Sequence, residues 1–251
     1  GKDCDLDHFD LEDPACFQLI VWNPEADEII GGYRFTRRKM ASFHPNGQPY
    51  VNTEHLFDFS QKFLDNEFPH CIEMARAFVQ PKYQSAAGGR KALFALDNLW
   101  DGIGGLIATD PTVKYLSGKV TIYSTSPEMS RKAMVYYLDM SFGDREGLIT
   151  SKNPETCTPE QAAFFKELFT GADYKENYAI LNNYVKSLGD SIPPFIHLYI
   201  GLSPTMKTFG TTFDPDFGDC YDTAMIITTD DIYPDKYKRY VESYEKCKVR
   251  K

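Results

Sequence analysis

The stretch CIEMARAFVQPKYQSAAGGRKALFAL, Cys71 to Leu96, restricts the fold more than any other part of the chain. It opens as an apolar, β-prone run and passes through small residues. It then enters a segment where Leu93, Leu96, Trp100, Ile103 and Ile107 recur at steps of three and four, until Thr109-Asp110-Pro111 stops the pattern. This predicts a strand over Cys71 to Val79 leading into an amphipathic helix with one face on a sheet. Several backbone N–H groups at such a helix start point at one spot and favour an anion there. Ala86, Ala87, Gly88 and Gly89 would let phosphate oxygens approach the main chain, and Arg90 and Lys91 add positive charge. The spacing Gln84-x-x-Ala87-x-Gly89 is compatible with a pyrophosphate or phosphopantetheine loop. The same small residues also serve tight strand-to-helix packing, so both readings stand. No G-x-x-x-x-G-K-[ST] and no G-x-G-x-x-G directly after a strand occurs, which disfavours a P-loop NTPase or a Rossmann dehydrogenase.

Around this junction the pattern alternates strand and helix. Phe17 to Asn23 and Glu28 to Met40 read as two strands of a hairpin turning at Pro24 to Asp27. FDFSQKFLDNE reads as a short helix, Val113 to Ser124 as a strand, and Ser126-Pro127 as the start of a helix reaching Met140 with serine as its cap. Thr158 and Gln161 have capping-box spacing, and Gly189 ends a second helix, so residues 154–190 read as a helical insertion. Asp222 to Asp231 returns to strand, and a charged helix closes the chain.

A chain of 251 residues with 42% hydrophobic and 25% charged residues can bury a substantial core, and no linker forces a boundary, which predicts a single domain over 1–251. The net charge of -9 argues against nucleic acid as a partner. Six scattered cysteines without C-x-x-C spacing indicate neither a zinc site nor a disulfide framework, so no metal and a reducing, cytoplasmic setting are expected. His8-x-x-x-x-Asp13 lies in an acidic lead-in without companion motifs, and Asp214 to Asp219 lacks the terminal glutamate of a calcium loop and reads as an acidic turn. No G-x-S-x-G elbow points to a hydrolase.

With QSAAGG at the junction, the chain resembles the GNAT acyltransferases, whose donor loop has the form Gln/Arg-x-x-Gly-x-Gly/Ala; here alanine stands at the first glycine. More specifically it is similar to the branch of ornithine-lipid N-acyltransferases, glycine-lipid synthases and hemolysin-like proteins, related to acyl-homoserine-lactone synthases. The segments DHFDLEDPACFQLIVWN with IIGGYRFTR, IEMARAFVQPKYQSAAGGRKALFALDNLWDGI, KYLSGKVTIYS, and IPPFIHLYIGL with FDPDFGDCYDTAMIIT carry that resemblance in order. It implies an α/β GNAT-like fold, a mixed and mainly antiparallel sheet flanked by helices, with a first strand and helix expected before Gly1.

The resemblance also implies transfer of a fatty-acyl chain from acyl-carrier protein or acyl-CoA, through its phosphopantetheine arm, to the amine of a small acceptor such as an amino acid, with peripheral contact at the inner membrane face. Val79, Gln84, Ala86, Ala87, Gly88, Gly89 and Arg90 would hold the donor. Glu73 and Arg76 stand as E-x-x-R and resemble the Glu and Arg positions of the acyl-homoserine-lactone synthase relatives. Residues three apart on a regular strand face opposite ways, so both reach one cleft only across a bulge. Glu73 would then take a proton from the attacking ammonium and Arg76 orient an acceptor carboxylate; the other reading of Glu73 is a structural ion pair. Tyr136, or Tyr137, lies where many relatives place a tyrosine that protonates the leaving thiolate, and either also fits plain packing. Arg34 matches the arginine of the family's G-x-Y-R strand and would bind substrate. Arg37, Arg38 and Lys39 read either as a docking patch for acidic carrier protein or as a solvated face. The alternatives are an autoinducer-synthase-like enzyme and a noncatalytic binder of acyl carrier or membrane surface.

Overall fold

The structure is a computed structural model that describes residues 7–84 and 90–244, with the backbone alone for residues 8 and 90–97. In chain order its elements are α1 (His8–Leu11), β1 (Cys16–Asn23), β2 (Glu28–Arg37), β3 (Phe57–Phe59), α2 (Gln61–Asn66), β4 (Cys71–Val79), α3 (Arg90–Thr109) and β5 (Tyr115–Ile122). There follow α4 (Glu128–Phe142), β6 (Ile149–Ser151), α5 (Pro159–Leu168), α6 (Tyr174–Ser187), α7 (Pro194–Ile200), β7 (Lys207–Asp214), β8 (Cys220–Thr228) and α8 (Pro234–Tyr237). The chain forms two compact units, one of Gly1–Phe43, Asn66–Ser117 and Thr228–Lys251, the other of His44–Asp65 and Gly118–Ile227.

In the first unit the strand order is β1-β2-β4, antiparallel throughout. The β1/β2 hairpin turns where predicted: Asn23 Oδ1 accepts the N–H groups of Glu25 (3.1 Å) and Ala26 (3.3 Å), and Asp27 closes the turn at φ 55°. One face of this sheet packs on α3. A Cβ on Gly102 would come within 2.8 Å of a Leu19 methyl, so helix and strand meet closely because that position has no side chain. Tyr33, Phe35, Ile72 and Met74 are buried, as are Trp100 and Ile103 of the predicted helical stripe. Full burial of each such side chain is worth roughly 1.5–3 kcal/mol. The strand expected to run to Met40 ends at Arg37, and a 3₁₀ turn, Arg38–Met40, follows.

In the second unit the order is β5-β8-β7, with β7 and β8 antiparallel, and β3 pairs antiparallel with β6. The sequence is therefore an α/β chain with a mainly antiparallel sheet and flanking helices. Two local expectations are corrected. Phe57–Phe59 forms strand rather than helix, because Phe57 and Phe59 bury one face while pairing with Ser151 and Ile149. Ser126 does not cap α4; Pro127 holds the cap position without a side-chain bond, since its ring fixes the entry angle there. The capping box of α5 is complete: Thr158 Oγ1 accepts the Gln161 N–H (3.2 Å) and Gln161 Oε1 the Thr158 N–H (3.0 Å). α6 starts at the Asp173 cap, and Gly189 follows its end at φ 75°. No helix among the described residues is long and apolar enough to cross a membrane.

Candidate active site

The site grows from an irregularity in β4. Gly32 pairs with Phe78 but Arg34 pairs with Ala75, so three residue steps on β4 face two on β2. Arg76 takes up the extra residue at φ 48°, a left-handed conformation that costs a non-glycine residue on the order of 1–3 kcal/mol. This is the bulge that the E-x-x-R spacing required. Register places Thr36 opposite Glu73 and Arg34 opposite Ala75, on the sheet face away from α3. The bulge turns Arg76 to the same side, where its Nη2 lies 3.1 Å from Asp7.

Asp7 is the centre of the arrangement. Arg34 Nη1 is 2.8 Å from both of its oxygens and 3.2 Å from Asp10, and Arg34 is 2% exposed. The Arg34 guanidinium lies 5.7 Å from the centroid of the Phe9 ring. Asp7 and Asp10 hold α1 in place by reciprocal bonds, each backbone N–H donating to the other's carboxylate at 3.2 and 3.1 Å. Burial pushes the Asp7 carboxyl up, but the Arg34 hydrogen bond, the Asp10 N–H and the charges of Arg34 and Arg76 outweigh it and hold the group at about 2. Burial by itself lowers Arg34, and its bonds to Asp7 raise it above the ordinary arginine value. Neither aspartate was singled out from sequence. The available signal was their spacing, a capping residue three positions before an acidic one at the head of a short helix.

A depressed carboxylate contributes stability above its unfolded value near 3.8, and that stability is lost as pH falls toward about 2. Asp7→Asn should therefore melt at lower temperature than the parent at pH 6. The gap should close steadily as both are titrated from pH 4 to pH 2, which thermal melts across that range would record.

Glu73 sits on the same face, 2% exposed, with Oε1 3.2 Å from Nη2 of Arg38, itself 3% exposed. The Arg38 guanidinium lies 5.1 Å from the Phe68 ring centroid. The geometry is that of the structural ion pair, the second of the two readings open to Glu73. The basic run is corrected as well. Arg38 is buried against Glu73, while Arg37 (3.3 Å) and Lys39 (2.6 Å) both reach Asp110, whose carboxyl Lys39 and Thr112 hold at about 2. Arg37 and Lys39 tie the strand end to the close of α3 while remaining partly exposed, at 29% and 39%. Cys71, next to this region in β4, is buried and its thiol is pushed up to about 12, which removes it as a thiolate nucleophile at neutral pH.

Of the expected donor residues, Val79 ends β4, and its carbonyl accepts a hydrogen bond from Gln84 Nε2 at 2.8 Å. Ala86, Ala87, Gly88 and Gly89 lie outside the described residues, as do the side chains of Arg90 and Lys91, although Arg90 does begin α3. Asp13 of the His8/Asp13 pair accepts the Ala15 N–H at 2.8 Å, a turn role.

In the second unit, the Tyr136 ring stacks on Phe169 (5.9 Å) and tilts against Phe165 (5.6 Å), and Tyr137 Oη donates to the Tyr174 carbonyl at 2.9 Å. Both rings pack against α5, α6 and the turn between them, and burial raises the Tyr137 phenol above its usual value. The acidic turn is anchored from inside. Asp214 Oδ1 accepts the Asp216 N–H at 3.1 Å, and Lys119 lies 3.0 Å from Asp214 and also binds Asp222. His55, Asp214 and Asp216 have ligand atoms within 4.8 Å of one another, but the Lys119 ammonium already neutralises the buried member.

Comparison with known proteins agrees with this architecture. Residues 1–92, which include Arg34, Glu73 and Arg76, match the family model described as an acetyltransferase (GNAT) domain. The glycine N(alpha)-acyltransferase of Phocaeicola vulgatus is 42% identical over 246 residues, covering 98% of this chain and 75% of that protein. The glycine N(alpha)-acyltransferase of Bacteroides thetaiotaomicron is 42% identical over 247 residues, covering 97% of this chain and 72% of that protein. Among solved structures, an aminoglycoside 6'-N-acetyltransferase complexed with coenzyme A aligns over 86% of this chain and 73% of that chain, with 10% identity and a TM-score of 0.32, too loose an overlap to locate a site. An E-x-x-R strand folded through a bulge and identity sustained along nearly the whole chain lead to one assignment: the chain belongs to the GNAT acyltransferase family.

Proposed function

We propose that this acyltransferase moves a fatty-acyl group from a thioester donor to the amine of an amino acid, with glycine as the acceptor. The observation that carries the reading is the β4 bulge, which turns the 37% exposed Arg76 guanidinium to the sheet face of Glu73. A carboxylate is what an amino-acid acceptor brings besides its amine, and arginine is the side chain whose planar donors suit it. The name of the 42% identical relatives supports glycine in particular.

The reaction forms one amide bond and breaks one thioester C–S bond. The acceptor ammonium gives up a proton, its nitrogen attacks the thioester carbonyl carbon, and the thiolate leaves and is reprotonated. Arg76 orients the acceptor through its carboxylate, with Arg34 holding Asp7 and Asp10 in place beside it. Glu73, whose Oε1 lies 3.2 Å from Arg38 Nη2, receives the ammonium proton, directly or through water. The donor binds over Val79, Gln84 and the segment 86–90 at the head of α3, with its phosphate on the small residues and acyl-carrier protein or coenzyme A beyond. Arg90 and Lys91 dock an acidic carrier. The product belongs to aminolipid synthesis of the ornithine-lipid and hemolysin-like branch, made at the cytoplasmic face of the membrane.

Mass spectrometry of products tests the reading. With palmitoyl-CoA or palmitoyl-acyl-carrier protein and an equimolar mixture of glycine, serine and ornithine, the expected product is N-palmitoylglycine. Failure to form an amide with any amino acid, or lactone formation from S-adenosylmethionine instead, would overturn it. Gly89→Val should raise KM for the donor while leaving KM for glycine in place.

A further inference from the structure

The face that carries Arg34 and Arg76 continues into an apolar strip. Ile20, Gly32 and Phe78 form the next rung across β1, β2 and β4, and Trp22 follows Ile20 two residues along β1. Alternation puts Ile20 and Trp22 on the side opposite Leu19, whose methyls face α3 through Gly102. The Phe78 ring lies over Gly32, where a Cβ would stand 3.0 Å from Phe78 Cε1, so the missing side chain is what leaves room for the ring. Ile20 is 50% exposed, Phe78 47% and Trp22 46%.

Three large apolar side chains open on one face of the sheet, two on β1 and one on β4 with Gly32 of β2 between them, form a contiguous exposed apolar surface of the kind that marks a binding site. Their position is also specific. The strip begins one rung, about 7 Å, from the Arg34 rung and runs away from α1. A ligand with a carboxylate at Arg76 and a long alkyl chain leading off from an adjacent amide would lie along it.

We propose that the strip formed by Ile20, Phe78 and Trp22 seats the acyl chain of the donor and sets the preference for long chains. The proposal rests on the acyl-transfer reading above. Each methylene laid on the strip leaves water, so affinity should rise with chain length until the apolar surface ends beyond Trp22. Gly32 keeps the rung shallow enough for the chain to pass over the β2 backbone, and a side chain there would meet Phe78 and the Leu19 carbonyl, which is 2.8 Å from the Cβ position.

The test measures kcat/KM for acetyl-, octanoyl- and palmitoyl-CoA with glycine. In the parent the ratio of palmitoyl to acetyl should be large, and Ile20→Asn with Phe78→Asn should lower that ratio by about tenfold or more, as expected for the loss of two half-buried apolar contacts. Trp22→Asn, which leaves Gly32 and Phe78 in place, should lower the palmitoyl-to-octanoyl ratio in particular. Fluorescence of cis-parinaric acid bound to the parent, and weakened in the variants, gives a readout independent of turnover. If the parent makes no amide but binds parinaric acid through these residues, the acyl-transfer reading fails and the strip stands. An unchanged chain-length ratio with intact folding overturns the strip. So does a variant that changes only liposome sedimentation or self-association, which would assign the surface to a membrane or to a second copy.

Discussion

Replacing Arg34 with methionine should lower unfolding stability by about 3–5 kcal/mol, the usual cost of removing one partner from a buried charge cluster. Arg34 is 2% exposed and is the cation to which Asp7 and Asp10 both turn. Without it Asp7 keeps only Arg76, and Asp10, 5% exposed, loses the Arg34 charge and cannot regain full hydration without moving. Arg34→Lys should recover only part of the loss, because a single ammonium cannot reproduce the spread of guanidinium contacts to Asp7 and Asp10. Urea unfolding of the two variants measures this directly. A loss below about 1 kcal/mol for Arg34→Met would mean that the carboxylates are effectively solvated and that the cluster is no more than a surface network. If Arg34 also positions Arg76 for the acceptor through Asp7, KM for glycine in Arg34→Lys should rise more than KM for the donor.

The second large effect separates the two readings of Glu73. Glu73→Gln leaves the Arg38 guanidinium buried beside a neutral amide and should cost about 3–5 kcal/mol. Replacing both partners by apolar residues of similar volume, Glu73→Leu with Arg38→Met, removes both desolvated charges and should restore most of that stability. Acyl transfer should not return with it. A lost general base lowers turnover by about 10²–10⁴-fold whatever the stability of the fold. Denaturant unfolding and single-turnover kinetics on the same pair of variants decide the matter. Turnover that recovers together with stability would make the pair structural and place the proton acceptor elsewhere.

Much of the frame that positions this site was legible in the chain. The strand at Cys71–Val79 and the helix at Arg90–Thr109 follow from local periodicity and from Asp110-Pro111 as a stop, both properties of neighbours in sequence. The capping box at Thr158 and the left-handed residue at Gly189 were equally local. Where a segment's preference was weak and its pairing distant, the reading failed. Phe57–Phe59 is strand only because Ile149–Ser151 lies beside it, and Ser126 lost its capping role to the fixed backbone of Pro127.

At the site the division is sharper. Residue order alone puts Glu73 and Arg76 on one strand three residues apart, Arg34 two residues after a glycine pair on another, and three basic residues in a run from Arg37 to Lys39. Alternation along a regular strand then requires a bulge for Glu73 and Arg76 to share a face. Which partners those charges take depends on the fold. A buried guanidinium needs a carboxylate within about 4 Å, and the partners that meet this need lie far away in sequence: Asp7 for Arg34 and Arg76, Glu73 for Arg38, Asp110 for Arg37 and Lys39. Strand register and the left-handed turn at Arg76 bring these pairs together, and both are set by pairing across the sheet rather than by any residue's own propensity.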